Sequence, residues 1–219
     1  MRKVFVYVEG QTEETFIRDI LAPHLSHRNL LLQPVLAKTK HTVSGASFRG
    51  GITSYARVKR DILGLLRDST AILVTTMIDY YGLPDDFPGK NRVSSGTPRQ
   101  RVTVLQDAFQ QDIAQPRFLA FLVLHEFEAL LFADPSSVID VFRDVNIGGA
   151  CRLAQEVQGR QPEEINDGPT THPSARFLCH IPEYRKPLHG PMIANRIGLA
   201  TIRQHCPHFD AWVRQLEKL

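Results

Sequence analysis

The chain has 219 residues, of which 42% are hydrophobic and 22% charged, and its formal net charge at pH 7 is +3. This length fits one large domain, or one domain with a helical appendix, and the composition is ordinary for a globular protein. No apolar run is long enough to span a bilayer, and a charge of +3 is too small to indicate nucleic-acid binding by itself.

The cysteines and the first residues indicate the cellular compartment. Cys151, Cys179 and Cys206 are widely spaced and odd in number, which argues against a framework of disulfides. The chain starts directly in a strand pattern and shows no signal-peptide pattern there. We therefore expect a cytoplasmic protein with reduced thiols.

Strand and helix patterns alternate through the first 134 residues. The predicted elements are, in order, a strand at 3–9, a helix at 12–26, a strand at 30–37, a helix at 53–67, a strand at 71–78, a helix from Thr97-Pro98 to about 112, and a strand at 117–124. This alternation predicts an α/β fold with a four-stranded, mainly parallel sheet flanked by helices.

The remaining residues have a different pattern, which predicts a helical, loop-rich C-terminal extension. Asp134-Pro135 has the residues of a helix start, and the last helix is expected to start at Cys206-Pro207 and to run through Trp212, Val213 and Leu216. We predict an α/β core at 1–134 and the extension, packed on that core, at 135–219.

Acidic residues follow three of the four predicted strands. Glu9 follows the first strand, Asp79 the third, and Glu126 the fourth, while Glu13 lies one helical turn after Glu9. Parallel strands end at the same edge of a sheet, so these carboxylates are expected to converge. Clustered carboxylates need a cation to coexist, and Mg²⁺ or Mn²⁺ suits oxygen ligands. The sequence therefore predicts a metal site formed by Glu9, Glu13, Asp79 and Glu126.

A basic segment supplies the complementary charge. Residues 38–60 contain seven basic residues and no acid, beginning with Lys38 and Lys40 after the second strand. Together with Arg176 and Lys186, these lysines are candidates for contacts with phosphate groups of a substrate. A metal ion and a phosphate backbone together predict attack on a phosphodiester bond.

The same acids also have a structural interpretation, which the sequence leaves open. Glu13 and its neighbour Glu14 would be stabilised by the helix N-terminus alone. Asp79 could cap the loop that follows it, and Glu128 could be a solvated or ion-paired helix residue. The convergence of several acids at one edge of the sheet favours the metal site over the structural interpretation.

The motifs carry a resemblance to a known family. VYVEGQTEE at 6–14 and MIDYYG at 77–82 resemble the Toprim fold of topoisomerases, DnaG-type primases and overcoming-lysogenization-defect nucleases. Further motifs, YYGLP at 80–84, HEFEALLF at 125–132 and EINDGPTT at 164–171, resemble a bacterial protein family, domain of unknown function 4276, which is placed among Toprim-like proteins. This second resemblance covers nearly the whole chain.

The resemblance implies roles for individual residues. Glu9 matches the Toprim glutamate, an acid/base group and metal ligand, and Glu13 matches the second glutamate of the nuclease variants. Asp79 matches the first acid of the Asp-x-Asp motif, whereas Tyr81 occupies the place of the second acid. This departure removes one ligand, which Glu126 could replace.

The resulting functional hypothesis is a Mg²⁺-dependent nuclease acting on DNA or RNA, with Glu9 and Asp79 as catalytic residues. The resemblance implies an ATPase partner encoded nearby, in a phage-defence or DNA-processing system. Two alternatives remain open at this stage. Tyr81 favours a non-catalytic partner or sensor module of an ATPase, and the small net charge favours a small-molecule phosphotransfer enzyme.

Overall fold

The computed structural model describes residues 1–37, 52–93, 95–165, 168 and 170–219. Its centre is a parallel sheet in which the strand order is β2-β1-β3-β4 and in which β5 also pairs with β3. The strands are β1 (Arg2–Val8), β2 (Leu30–Leu36), β3 (Ala71–Asp79), β4 (Phe118–Leu119) and β5 (Leu122–Val123). The predicted α/β class with a mainly parallel sheet and a helical C-terminal region is confirmed.

The predicted fourth strand is divided into two short strands, β4 and β5. Between them, the Thr76 hydroxyl donates a hydrogen bond to the Phe121 carbonyl (2.7 Å) and accepts one from the Phe121 N–H (2.9 Å). A side chain of β3 therefore takes the place of a backbone partner there, and the regular ladder is interrupted.

The α-helices of the first half of the chain alternate with the strands, and the others follow β5. The α-helices are α1 (Gln11–Phe16), α2 (Ala22–Ser26), α3 (Tyr55–Leu65), α4 (Pro98–Ile113), α5 (Pro135–Val141), α6 (Arg143–Val157), α7 (Pro173–His180), α8 (Lys186–Ile197), α9 (Leu199–His205) and α10 (Pro207–Glu217). A π-helical segment, Ile17–Leu21, joins α1 to α2, and short 3₁₀ helices cover Lys90–Arg92, Phe127–Ala133 and Pro162–Glu164.

Two of the predicted helix starts are confirmed in detail. Thr97 and Gln100 form a complete capping box at α4, so two backbone N–H groups at its N-terminus are satisfied by side chains. The Asp134 carboxylate accepts a hydrogen bond from the Ser136 N–H at the start of α5.

Apolar side chains of the sheet are buried on both faces. Val4 and Val6 of β1 lie in one hydrophobic cluster, whereas Phe5 and Tyr7, which point the opposite way, lie in the other. The second cluster is completed by α3 and α4. The first also contains Trp212 and other residues of the 135–219 segment, so that segment shares a core with the sheet. The division at residue 134 stays a prediction.

Within the described ranges, no helix combines the length and the apolar character that crossing a membrane requires.

Candidate functional site

The ends of two neighbouring strands place Glu9 and Asp79 side by side. Asp79 is the last residue of β3, and Glu9 directly follows β1, which pairs with β3 in parallel. Glu9 Oε2 accepts a hydrogen bond from the Asp79 backbone N–H at 3.3 Å. Both acids therefore lie at the carboxyl edge of the sheet, where open α/β sheets bind ligands.

Glu13 is brought to the same point by the first turn of α1. The turn between β1 and α1 contains Gly10, and a Cβ atom built at Gly10 would lie 3.2 Å from Glu13 Oε2. Glycine at this position therefore leaves room for the carboxylate of Glu13. The side chain of Glu13 is only 2% exposed.

Glu128 is the third buried acid near Asp79. Its side chain is 0% exposed, and its Oε1 accepts a hydrogen bond from the Tyr184 hydroxyl at 3.3 Å. Asp79 Oδ1 accepts a hydrogen bond of 2.9 Å from the Phe127 N–H, which ties the segment carrying Glu128 to the end of β3.

A single ammonium group contacts three of these acids. Lys186, the first residue of α8, places its Nζ 3.0 Å from Asp79 Oδ2, 3.1 Å from Glu128 Oε2 and 3.5 Å from Glu13 Oε1. We call Glu9, Glu13, Asp79, Glu128 and Lys186 the acidic cluster. Four carboxylates in this cluster face one cation.

The excess of negative charge changes the proton affinity of the acids. Burial, with the charge of Glu13, raises the pKa of Glu9 to about 7. Burial also raises the pKa of Asp79 well above its usual value and raises that of Glu128, although Lys186 opposes both shifts. Burial alone would lower the pKa of Lys186, but the charges of the surrounding acids outweigh it and raise that pKa.

Among the described residues, two buried oxygens of the acidic cluster, Glu13 Oε1 and Glu128 Oε2, have no well-aligned hydrogen-bond donor. Both are paired with the Lys186 ammonium, at 3.5 and 3.1 Å, and a buried carboxylate oxygen without a well-aligned donor is costly. An all-oxygen set of this kind suits Mg²⁺ or Mn²⁺. In the conformation of the described residues, no group of three or more His, Cys, Asp or Glu side chains is disposed to hold a metal. The Lys186 ammonium lies where three carboxylates meet.

Glu126, predicted as a ligand, uses both of its oxygens elsewhere. Its Oε2 lies 3.0 Å from His172 Nδ1 and accepts a hydrogen bond from the Ser174 N–H (2.8 Å), while its Oε1 accepts one from the Ser174 hydroxyl (2.9 Å). The His172 ring stacks on Tyr81, with 4.5 Å between ring centroids. Glu126 thus orients the side chain that packs against Tyr81.

The residues predicted to contact phosphate do not lie together in the described part of the structure. Lys186 belongs to the acidic cluster. Arg176 instead pairs with Glu156 of α6 and donates a hydrogen bond to the Thr171 carbonyl at 2.7 Å. Lys38 and Lys40 lie outside the described residues.

Sequence reasoning underestimated Glu128 and the second role of Lys186. Glu128 lies two residues after Glu126 in the HEFE motif, and the sequence alone did not show which of the two faces the sheet edge. The 3₁₀ geometry of the segment turns Glu128 toward Lys186, whereas Glu126 precedes that helix and bonds to α7.

A family model described as "Domain of unknown function (DUF4276)" matches residues 8–217. The chain belongs to this family. No functionally curated protein sequence matches the chain.

Two solved structures resemble this member of the family along its whole length. The C-terminal region of the Burkholderia pseudomallei OLD protein has 15% sequence identity and a TM-score of 0.47, with 99% of each chain covered. The C-terminal region of the Xanthomonas campestris pv. campestris OLD protein has 13% identity and a TM-score of 0.40, with 98% of this chain and 97% of that chain covered.

Proposed function

We propose that this protein hydrolyses phosphodiester bonds in nucleic acid with the help of Mg²⁺ or Mn²⁺. The observation that carries the proposal is the convergence of four carboxylates on one ammonium group at the carboxyl edge of a parallel sheet. One ammonium leaves an excess of buried negative charge, and an excess of this kind, with its raised pKa values, is typical of functional sites.

Each acid of the acidic cluster has a role in this proposal. Asp79, Glu13 and Glu128 hold the cation, and Glu9 adds a fourth oxygen ligand or accepts a proton from the attacking water. A pKa of about 7 suits Glu9 to proton transfer at neutral pH. A bound divalent cation would supply electrostatic stabilisation of the charge that develops on the phosphoryl oxygens.

The predicted ligand Glu126 and the residues beyond Asp79 complete the proposed site. Glu126 acts through His172, which it holds against Tyr81. A cleft of about 320 Å³ begins at Tyr80 and Tyr81 and is also lined by Lys90 and Arg101. Aromatic and cationic side chains side by side suit the bases and phosphates of a single DNA or RNA strand.

The remaining phosphate contacts are assigned to basic side chains. Lys186 reaches it directly, and the basic segment 38–60, with Lys38 and Lys40, follows β2 of the same sheet. Arg176 acts from α7 if its pairing with Glu156 is exchanged for a phosphate. The Toprim resemblance supports an ATPase partner and a place in phage defence or DNA processing.

A second candidate function is a non-catalytic partner module of an ATPase. Tyr81 stands where the resemblance expects an acid, and its ring stacks on His172. The third candidate, a small-molecule phosphotransfer enzyme, is supported by the modest net charge and the size of the cleft.

The test is a cleavage assay on supercoiled DNA, single-stranded DNA and RNA, with Mg²⁺, Mn²⁺ or a chelator. Glu9→Gln should reduce metal-dependent cleavage by at least about 100-fold without changing the melting temperature by more than a few degrees. Glu128→Gln should impair it more than Glu126→Gln, because Glu128 faces Lys186 and Asp79 directly.

Failure to cut any of these substrates, also in the presence of any ATPase encoded beside it, would overturn the nuclease proposal. Co-purification with that ATPase by both wild type and Glu9→Gln, without cleavage, would support the partner module instead.

A further inference from the structure

We infer that Lys186 is an exchangeable internal cation: its ammonium occupies the metal position of the acidic cluster until a divalent ion displaces it. The inference rests on the proposed function, since it concerns how the same site takes up its ion. It gives Lys186 a positioning role before any contact with phosphate.

The geometry of Lys186 supports the exchange. Its Nζ contacts oxygens of Asp79, Glu128 and Glu13 at 3.0, 3.1 and 3.5 Å, so it neutralises the acids that would be the ligands. A divalent ion bound by the same oxygens would lie within a few ångströms of the ammonium, where like charges repel strongly. The two cations therefore compete for one position.

The solvent exposure of the side chains indicates that the Lys186 ammonium can leave the acidic cluster. The side chain of Lys186 is 33% exposed, whereas those of Glu13, Asp79 and Glu128 are 2%, 7% and 0% exposed. Lys186 is thus more exposed than the three acids that it contacts, so its ammonium can leave them toward solvent. A lysine carries its charge on a flexible four-carbon stem, so its ammonium can swing outward without movement of α8.

The carboxylate oxygens of the acidic cluster explain why a divalent ion would displace the Lys186 ammonium. Glu13 Oε1 and Glu128 Oε2 lie 3.5 and 3.1 Å from the ammonium, which also pairs with Asp79, so one monovalent group is shared among three carboxylates. A divalent cation offers twice the charge and accepts several oxygens at once. The released ammonium is then free to contact a phosphate group of the substrate.

The first experiment measures Mg²⁺ and Mn²⁺ binding by isothermal titration calorimetry for wild type, Lys186→Gln and a matched control. Lys3→Gln is that control: Lys3 is 28% exposed, its Nζ lies 3.0 Å from a carboxylate of Asp68, and it lies at the opposite edge of the sheet. Lys186→Gln should bind the ions on the order of tenfold more tightly than wild type, because a competing charge is gone. Lys3→Gln should bind them like wild type.

A second experiment uses wild-type protein, so it does not depend on folding of a variant. Lysine side chains are acetylated with limiting acetic anhydride and quantified by peptide mass spectrometry, with a chelator or with saturating Mg²⁺. Mg²⁺ should increase labelling of Lys186 and leave that of Lys3 unchanged. Unchanged or decreased labelling of Lys186 overturns the inference.

The outcomes separate the inference from the proposed function. Equal or weaker metal binding by Lys186→Gln, with cleavage by wild type intact, overturns the exchange alone. Absence of metal binding in every protein, together with absence of cleavage, overturns both.

Discussion

The carboxylate of Glu9 accepts a hydrogen bond from the backbone N–H of Asp79, with 3.3 Å between Glu9 Oε2 and Asp79 N. The two residues are 70 positions apart, and they meet because β1 and β3 pair in parallel and end together. Their carboxylates thus share an edge where charge accumulates. The hydrogen bond lowers the pKa of Glu9, but burial and the charge of Glu13 outweigh it.

In the absence of divalent ions, the free energy of unfolding should fall as pH rises from about 4.5 to about 7. The pKa of Glu9 is raised from 4.5 to about 7, so the folded state binds this proton more tightly than the unfolded state across that window. Stability then decreases as the proton is lost. Urea unfolding in a chelator at several pH values measures this slope. Glu9→Gln should reduce it and leave the part that comes from the raised pKa values of Asp79 and Glu128.

Asp68→Asn is the matched control for this titration. Hydrogen bonds from the Thr70 hydroxyl and backbone N–H lower the pKa of Asp68 to about 2, so its contribution is lost only when pH falls below its usual pKa of 3.8. It should leave the slope between pH 4.5 and 7 unchanged. A slope as steep in Glu9→Gln as in wild type would contradict the assignment.

Asp79→Ala should destabilise the protein more than Asp79→Asn. Alanine leaves the buried Phe127 N–H without its 2.9 Å partner, which costs about 1–3 kcal/mol, whereas asparagine keeps an oxygen acceptor there. Urea unfolding measures both values. Both variants should lose metal-dependent cleavage, because both remove the charge. Equal destabilisation by the two substitutions would show that the Phe127 hydrogen bond contributes little.

Gly190→Ala should disturb the packing of α8 and, through it, the acidic cluster. A Cβ at Gly190 would lie 2.9 Å from Thr12 Cγ2 and 3.3 Å from Phe127 Cε1. Overpacking of this kind typically costs about 1–3 kcal/mol, and α8 begins at Lys186. The melting temperature measured by thermal unfolding should therefore fall, and the affinity for metal ions should change as well.

Gly64→Ala provides the control, since Gly64 is an exposed glycine of α3. No atom of the described residues lies within 4 Å of a Cβ at Gly64, so alanine should stabilise the helix by about 0.5–1 kcal/mol. Comparable stability of the two variants would mean that α8 moves freely away from α1 and that the close approach at Gly190 is not required.

Trp212 tests whether residues 135–219 unfold together with the sheet. It is the single tryptophan of the chain, it stacks on Phe121 with 4.4 Å between ring centroids, and its Nε1–H donates a hydrogen bond to Thr75 Oγ1 at 2.9 Å. Unfolding curves from tryptophan fluorescence and far-ultraviolet circular dichroism should therefore coincide. Trp212→Ala should cost about 3–5 kcal/mol.

Two separate transitions, with fluorescence changing first, would instead show that the C-terminal helices are an independent domain. That result would support the predicted division at residue 134, because the two segments would then unfold separately.

Local patterns were sufficient to predict much of this fold. The apolar run before Glu9 predicted β1, and Thr97-Pro98 with Gln100 predicted the start of α4. These features depend on residues close together in sequence, where periodicity and capping chemistry act directly. The interruption between β4 and β5 was not predicted, since it depends on Thr76 of another strand.

The candidate site, like the fold, was predicted only in part from the sequence. The sequence by itself determined that Glu9, Glu13 and Asp79 follow strands or begin a helix at one edge of a parallel sheet. Only the tertiary structure decided that Glu128 rather than Glu126 faces Asp79 and that Lys186 enters the acidic cluster from α8. Such contacts depend on packing between segments far apart in the chain, and side-chain direction at that distance is set by the assembled core rather than by local pattern.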